Sequence, residues 1–477
     1  MDAVLLARLQ FALTVGFHFI FPPLSIGLAW LLVVTEWRGW RSGDAHWLSA
    51  SRFFAKVLAL TFAVGVASGI VMEFQFGTNW ASYSRFVGDI FGAPLAAEGV
   101  FAFFLESGFL GLYLFGRNRV SKGLHWFSIL MVALGSTLSA FWIIVANSWQ
   151  QTPAGFALNP ATGRAELTSF AAAVFNPSTM QRYHHTVAAA LVAGAFLVAG
   201  FSAWLLLKGR AVEVARRTLG LALSFGFVAS VLTAFPFGHT HARQVARTQP
   251  AKFAALEGLY GETEAGAPLV LFALPVTQPP SLLARLEIPR LLSWMAFGDV
   301  RAPLKGLADV EKDCQARCAA GEKAWCGGCT PRGAELWLSF VSFHNMVLLG
   351  GWFILLTGLC LVLRWRGRLL SSRPVLWALV LSTPLPVVAC ELGWMTAEIG
   401  RQPWIVTGLL KTKDAASSAV GAGEILASIV LFGLIYAALG ALWLFLLKKK
   451  LDVGPEPVPG AVDLSAEALA KVEEVAR

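Results

Sequence analysis

The chain reads as an all-α integral membrane protein of about nine transmembrane helices, with a long extracytoplasmic loop between helices six and seven. Three observations predict this. Of 477 residues, 56% are hydrophobic and only 14% charged, well below the roughly 25% charge of a soluble domain. Apolar stretches of the roughly 20 residues needed to cross a bilayer recur along the chain. Basic residues gather between alternate stretches instead of spreading over a surface.

The apolar stretches are residues 9–37, 53–76, 94–115, 124–146, 185–207, 219–237, 337–363, 374–394 and 425–447. The first runs past the length of a signal peptide with no small-residue cleavage site after it, so it reads as a retained helix. Basic clusters fall on one side of this arrangement: Arg38 and Arg41, then Arg117, Arg119 and Lys122, then Lys208, Arg210, Arg216 and Arg217. Arg364, Arg366, Arg368 and Arg373 continue the series, and Lys448, Lys449 and Lys450 close it. The positive-inside rule makes that side cytoplasmic, which puts the N-terminus outside and the C-terminus inside. The net charge of +9 is accounted for by topology, and no nucleic-acid partner is expected.

Four regions follow. Residues 1–237 hold helices one to six, 238–335 form the outer loop, 336–447 hold helices seven to nine, and 448–477 are a polar cytoplasmic tail, expected to be a short helix or disordered. A loop as long as the second region is usually functional.

Ionisable side chains inside spans are costly and therefore candidates for function. His18 is expected two to three turns into the first helix from outside, His185 opens the fifth, and Met346 lies about two and a half turns into the seventh. Glu98 falls near the outer start of the third helix, Glu398 just past the outer end of the eighth, and Glu106 about 12 Å deeper along the third. Imidazole and thioether groups at one depth are the materials of haem axial ligation, and a His/Met pair makes a six-coordinate electron-transfer haem. Each residue also has a plainer reading. A histidine can bond a neighbouring helix, a methionine can fill the core, and two glutamates can form a polar seam.

Local strings decide between these readings. "GFHFIFPPLSIGLAW", "ASGIVMEFQFGTNWASYSRFVGDIFGAPLAAEGVFAFFLES", "GSTLSAFWIIVANSWQQTPAG", "HHTVAAALVAGAF", "QPAKFAALEG", "FHNMV" and "GWMTAEIGRQPW" occur in this order over most of residues 1–430. Together they resemble subunit I of cytochrome bd-type quinol oxidases. The resemblance implies a terminal oxidase of the bacterial inner membrane that oxidises quinol at the outer face and reduces O2 to water. Proton motive force would arise without a pump. By the same resemblance His185 and Met346 hold a low-spin haem b, with His184 the weaker candidate. His18 ligates one of two high-spin haems, a haem b and a haem d, and Glu98 and Glu398 stand at that pair. Glu106 and Ser139 fall on a proton route from the cytoplasm. Arg401 reaches a haem propionate or pairs with Glu398 or Glu391. Lys252 and Glu257 fall on quinol-associated positions, although "AKFAALEG" alone also reads as an amphipathic helix with solvated charges. The implied partners are a homologous subunit II and a small single-helix subunit.

Two features depart from the pattern. Cys314, Cys318, Cys326 and Cys329 crowd the later half of the loop, and outside a membrane such a group forms two disulfides, with three possible connectivities, or a zinc site. Cys360 and Cys390 sit in spans and read as packing residues. His344 stands where better-known members carry an Arg, which lowers the expected potential of the low-spin haem. With the short loop, it resembles the cyanide-insensitive branch, in which a second high-spin haem b replaces haem d. The rivals from other classes are an ion transporter, which would be colourless, and a di-haem quinone dehydrogenase anchor, which would consume no oxygen.

Overall fold

The computed structural model describes residues 2–458. Among them nine helices are long and apolar enough to cross a membrane: Ala3–Ser42, Ala45–Gly77, Ala81–Phe115, Lys122–Gln151, Thr179–Leu207, Val212–Thr248, Ala334–Trp365, Arg373–Ile399 and Ala422–Val453. These are the first to ninth spans. Side chains mark several starts: Asp2, Asp44 and Ser121 accept the backbone N–H of Val4, His46 and Leu124, as N-caps do. Gly43, with φ 68°, ends the first span in the left-handed conformation that glycine adopts without strain.

The helices outrun their apolar stretches. The third begins at Ala81 because Tyr83, Val87, Ile90 and Phe91 share one helical face and pack with Trp149 in an apolar cluster. The sixth continues to Thr248, past the predicted end at 237. Hydropathy detects the lipid-length part of a helix, whereas these rims are helical because other protein packs on them.

Several spans are interrupted at prolines, which cannot donate to the preceding turn. The first breaks directly after His18, ahead of Pro22 and Pro23. The third widens into a π-helical turn at Glu98–Phe103, just after Pro94, and the sixth does so at Thr233–Gly238, around Pro236. Such widened turns concentrate at functional sites.

The fifth span is the most enclosed and packs against the first, fourth, sixth and eighth. It crosses the first where Gly27 meets Gly194, and a Cβ on either glycine would overlap the other helix's backbone. Small residues at a crossing let membrane helices approach closely. At the end bearing the basic clusters, Glu36 is buried and accepts from Arg117 at 2.9 Å and His125 at 3.0 Å, and also from Ser51. That network ties the first four spans together.

The connection from the sixth to the seventh span is structured. It holds the helices Pro250–Glu257, Leu291–Phe297 and Leu307–Ala319 and a hairpin of Leu269–Thr277 with Pro280–Ile288. Cys314 is joined to Cys329 and Cys318 to Cys326, one nested pairing of the three possible. Their thiolates are therefore not free to hold zinc. The Arg317 guanidinium lies 3.8 Å over the Trp325 ring, which packs on Trp404 at 5.1 Å. Lys411 donates to the Cys326 and Gly328 carbonyls at 2.6 and 2.9 Å. The stapled segment thus rests on the chain that follows the eighth span. Beyond the ninth, Glu456 pairs with Arg52 and Lys56. The rest of the predicted tail, 459–477, lies outside the described residues.

Candidate active site

One cavity of about 2160 Å³ runs between the spans and under the loop that joins the sixth to the seventh. A single drug-sized ligand fills roughly 300–1,000 Å³, so this space admits more than one large group. His18, Glu98, Glu106, Ser139, His185, Lys252, Glu257, Met346, Glu398 and Arg401 all line it. Their positions along the helices differ from those read in the sequence, because the helices extend beyond their apolar stretches. His18 ends a helical segment that begins at Ala3, about 22 Å away. His185 lies inside the fifth span instead of opening it, Glu98 sits mid-span in the third, and Glu398 belongs to the last turn of the eighth.

His18 Nδ1 is 3.1 Å from the Ser68 hydroxyl, whose own hydrogen is directed to the Val64 and Gly65 carbonyls at 2.9 and 3.0 Å. The hydroxyl therefore accepts, Nδ1 carries the proton, and the Nε2 lone pair is left open. Gly69 makes room for this ring, since a Cβ there would come within 3.1 Å of it. His185 Nδ1 donates to the Thr233 carbonyl of the widened turn at 3.1 Å, which again leaves Nε2 free. A ring N–H fixed by a carbonyl while the other nitrogen is free is the arrangement of a metal-ligating histidine. His184 is exposed, stacks on Phe237 and does not line the cavity. Met346 Sδ occupies space left by Gly393, where a Cβ would fall 3.0 Å from the sulfur. Both nitrogens of His344 face carbonyls, Phe340 at 3.0 Å and Val270 at 3.1 Å, so this ring is fastened between the seventh span and the hairpin.

Glu98 and Glu398 have hydrogen-bond partners. Ser139 donates to Glu98 at 2.7 Å. Glu106 is buried with its Cβ over Gly135, where a side chain would come within 3.1 Å. Glu398 accepts from Asn147 at 3.0 Å and from Arg401, one of the alternative partners read for that arginine. Arg401 also donates to Gln150 at 2.7 Å, while its Nε has no partner.

Lys252 and Glu257 are buried, 5% and 3% exposed, which removes the solvated-helix reading. Lys252 donates to Gln151 Oε1 and to the Ala397 carbonyl, both at 3.0 Å, and so ties the loop helix to the end of the eighth span beside Glu398. Burial, reinforced by the Arg182 guanidinium, pulls its ammonium well below the usual lysine range. Glu257 has an unpartnered oxygen, and burial pushes its carboxyl up to about 8.

This donor set fits haem. It offers two imidazoles with open Nε2 atoms and a thioether on an apolar cavity large enough for several rings. Arg401, Glu391 and Glu257, which also line that cavity, each carry an unpartnered buried polar atom, and such orphan atoms beside a pocket call for a polar ligand group.

Residues 6–455 match the family described as cytochrome bd terminal oxidase subunit I. The chain belongs to that family. It is similar to cytochrome bd ubiquinol oxidase subunit 1 of Bacillus subtilis (strain 168), with 38% identity covering 96% of this chain and 95% of the relative. Cytochrome bd-II ubiquinol oxidase subunit 1 of Escherichia coli (strain K12) is 37% identical over 95% and 97% of the two chains. Among solved structures, the bd oxidase from Geobacillus thermodenitrificans superposes with a TM-score of 0.84 at 30% identity, covering 95% of this chain and 99% of that one. Family membership makes the chain a multi-pass terminal oxidase subunit and implies haem cofactors. The relatives' designation as subunit 1 implies a second subunit.

Sequence reasoning passed over several residues of this bd-family cavity. Glu73 and Arg182 line it and are ionisable groups within spans, a signal that was present in the sequence. His241, whose ring centroid is 5.6 Å from that of His185, lay beyond the predicted end of the sixth span and carried no such signal. Asn147, Gln150 and Gln151, which hold Glu398, Arg401 and Lys252, are uncharged and gave none either.

Proposed function

We propose that this chain is the haem-bearing subunit of a respiratory quinol:oxygen oxidoreductase that oxidises quinol at the outer face and reduces O2 to water with cytoplasmic protons. The observation that carries this reading is a single cavity joining the two imidazoles and the thioether to the buried pair Lys252 and Glu257. His185 and Met346 would hold a low-spin haem b. His18, with Glu98 and Glu398 nearby, would hold a high-spin haem b and either a haem d or a second high-spin haem b. When bound, these haems supply one-electron transfer and a site for O2.

The residues themselves handle substrate and protons. Lys252, beyond the two bonds it donates to Gln151 and the Ala397 carbonyl, directs its remaining N–H toward a quinol oxygen. Glu257, as the carboxylate, accepts a quinol proton, since a base with a value near the working pH is the effective one. Glu106 receives protons from the end bearing the basic clusters, taken as cytoplasmic, and Ser139 passes them on to Glu98, to which it is bonded at 2.7 Å. Asn147 and Arg401 hold Glu398 in one orientation. Protons released outside and consumed from inside separate charge without a pump. The subunit would work with a homologous second subunit and a small single-helix one, with its N-terminus outside.

The test is a dithionite-reduced spectrum of the purified complex beside oxygen uptake with quinol. His185→Ala and Met346→Ala should each lose the low-spin haem signal and quinol oxidation together. Retention of both would defeat the assignment. A colourless wild-type complex would restore the transporter reading, and haem without oxygen uptake the dehydrogenase-anchor reading. Absorption in the chlorin region reports whether haem d is present.

A further inference from the structure

Away from the large cavity, at the helix ends that carry the basic clusters, a second cavity of about 570 Å³ opens between the first, second, sixth and seventh spans. Four arginines line it: Arg38, Arg216, Arg217 and Arg364. Their charges are only partly answered. Arg216 and Arg217 both bond Glu213, at 2.8 and 2.6 Å, and Arg217 also pairs with Asp44. Arg38 lies over the Trp47 ring at 4.9 Å, and Arg364 donates one bond, of 2.9 Å, to the Gly220 carbonyl. Among the described residues neither Arg38 nor Arg364 has a carboxylate within ion-pair distance. Four positive charges against Glu213 and Asp44 leave a local balance of 4 − 2 = +2.

The geometry goes beyond a charged surface. Gly220 lets the Arg364 guanidinium lie against the sixth span, since a Cβ there would fall 2.6 Å from it. Beside the arginines the wall is apolar, formed by Leu219, Leu221, Leu369 and Leu370. Every arginine stands within about two turns of a helix end, the level of lipid headgroups. Uncompensated guanidinium forks, which match phosphate oxygens two at a time, adjoin a hydrocarbon-compatible wall. We infer that this cavity binds the headgroup of an anionic phospholipid, its phosphodiester between Arg38 and Arg364 and an acyl chain along the leucines. Basic pockets between membrane helices on the cytoplasmic side take such headgroups.

The intact complex with its bound haems, delipidated in detergent, can be titrated with phosphatidylglycerol and, separately, phosphatidylcholine while lipid adducts are followed by native mass spectrometry. The expected result is one retained phosphatidylglycerol and no comparable phosphatidylcholine adduct. Arg38→Gln with Arg364→Gln should weaken phosphatidylglycerol binding at least about tenfold. Arg38→Gln alone, which removes no hydrogen bond to the fold, should weaken it by a smaller factor with the Soret spectrum unchanged. Arg119→Gln, a basic residue outside the cavity, should leave binding as it was. Equal retention of phosphatidylcholine would overturn the proposal. So would undiminished binding in both variants, an equal loss in Arg119→Gln, or displacement of the lipid by millimolar inorganic phosphate.

Discussion

Glu257 offers a sharp test of how burial shapes the chemistry proposed for the loop between the sixth and seventh spans. Its carboxyl, with one oxygen unpartnered, is pushed by burial up to about 8. The proton-accepting species is the carboxylate, whose fraction grows with pH. For a value near 8, roughly one site in eleven is ionised at pH 7 and ten in eleven at pH 9, so the quinol-limited rate should rise about tenfold across that interval. A solvated glutamate near 4.3 would already be fully ionised at pH 7 and would add no such limb. The assay is oxygen uptake by membranes at saturating quinol between pH 6 and 9.5, in wild type and in Glu257→Gln, with haem content checked by the reduced spectrum. Wild type should show the rising limb, and the variant should be slow and flat. A flat wild-type profile, or a variant that keeps the limb, would refute the assignment of Glu257 as the base.

Three perturbations of the scaffold follow from packing. Gly27→Ala places a methyl group into the backbone of the fifth span and should cost about 1–3 kcal/mol, read as a lower temperature of Soret loss. Glu36→Ala leaves Arg117 and His125 without their buried anion and should cost about 3–5 kcal/mol, measured by thermal unfolding in detergent, whereas a change under 1 kcal/mol would make the network incidental. Cys314→Ser with Cys329→Ser opens a 15-residue separation and should destabilise the loop by about 3 kcal/mol. Limited proteolysis between residues 307 and 333 should then speed up while the haem spectrum of the spans is kept.

The membrane class and nine long helices among the described residues were legible in the amino-acid sequence, as were the side chains that the fold gathers along one cavity. Those properties follow from composition, from the length a bilayer demands and from short strings of neighbouring residues. His18, His185 and Met346 stood out because ionisable or soft ligands inside spans are rare. Tertiary structure decided what those side chains can do. The free Nε2 of His18 depends on Ser68 in another helix, and that of His185 on the Thr233 carbonyl in the widened turn of the sixth span. Lys252 and Glu257 looked like surface charges in an amphipathic octet until packing enclosed them. Helix ends were misplaced for the same reason: Ala81 to Pro94 is helical because Tyr83 and Trp149 meet across spans, and no local hydropathy reports that contact. Burial and partner choice are properties of residues distant in the chain, and only the folded chain brings them together.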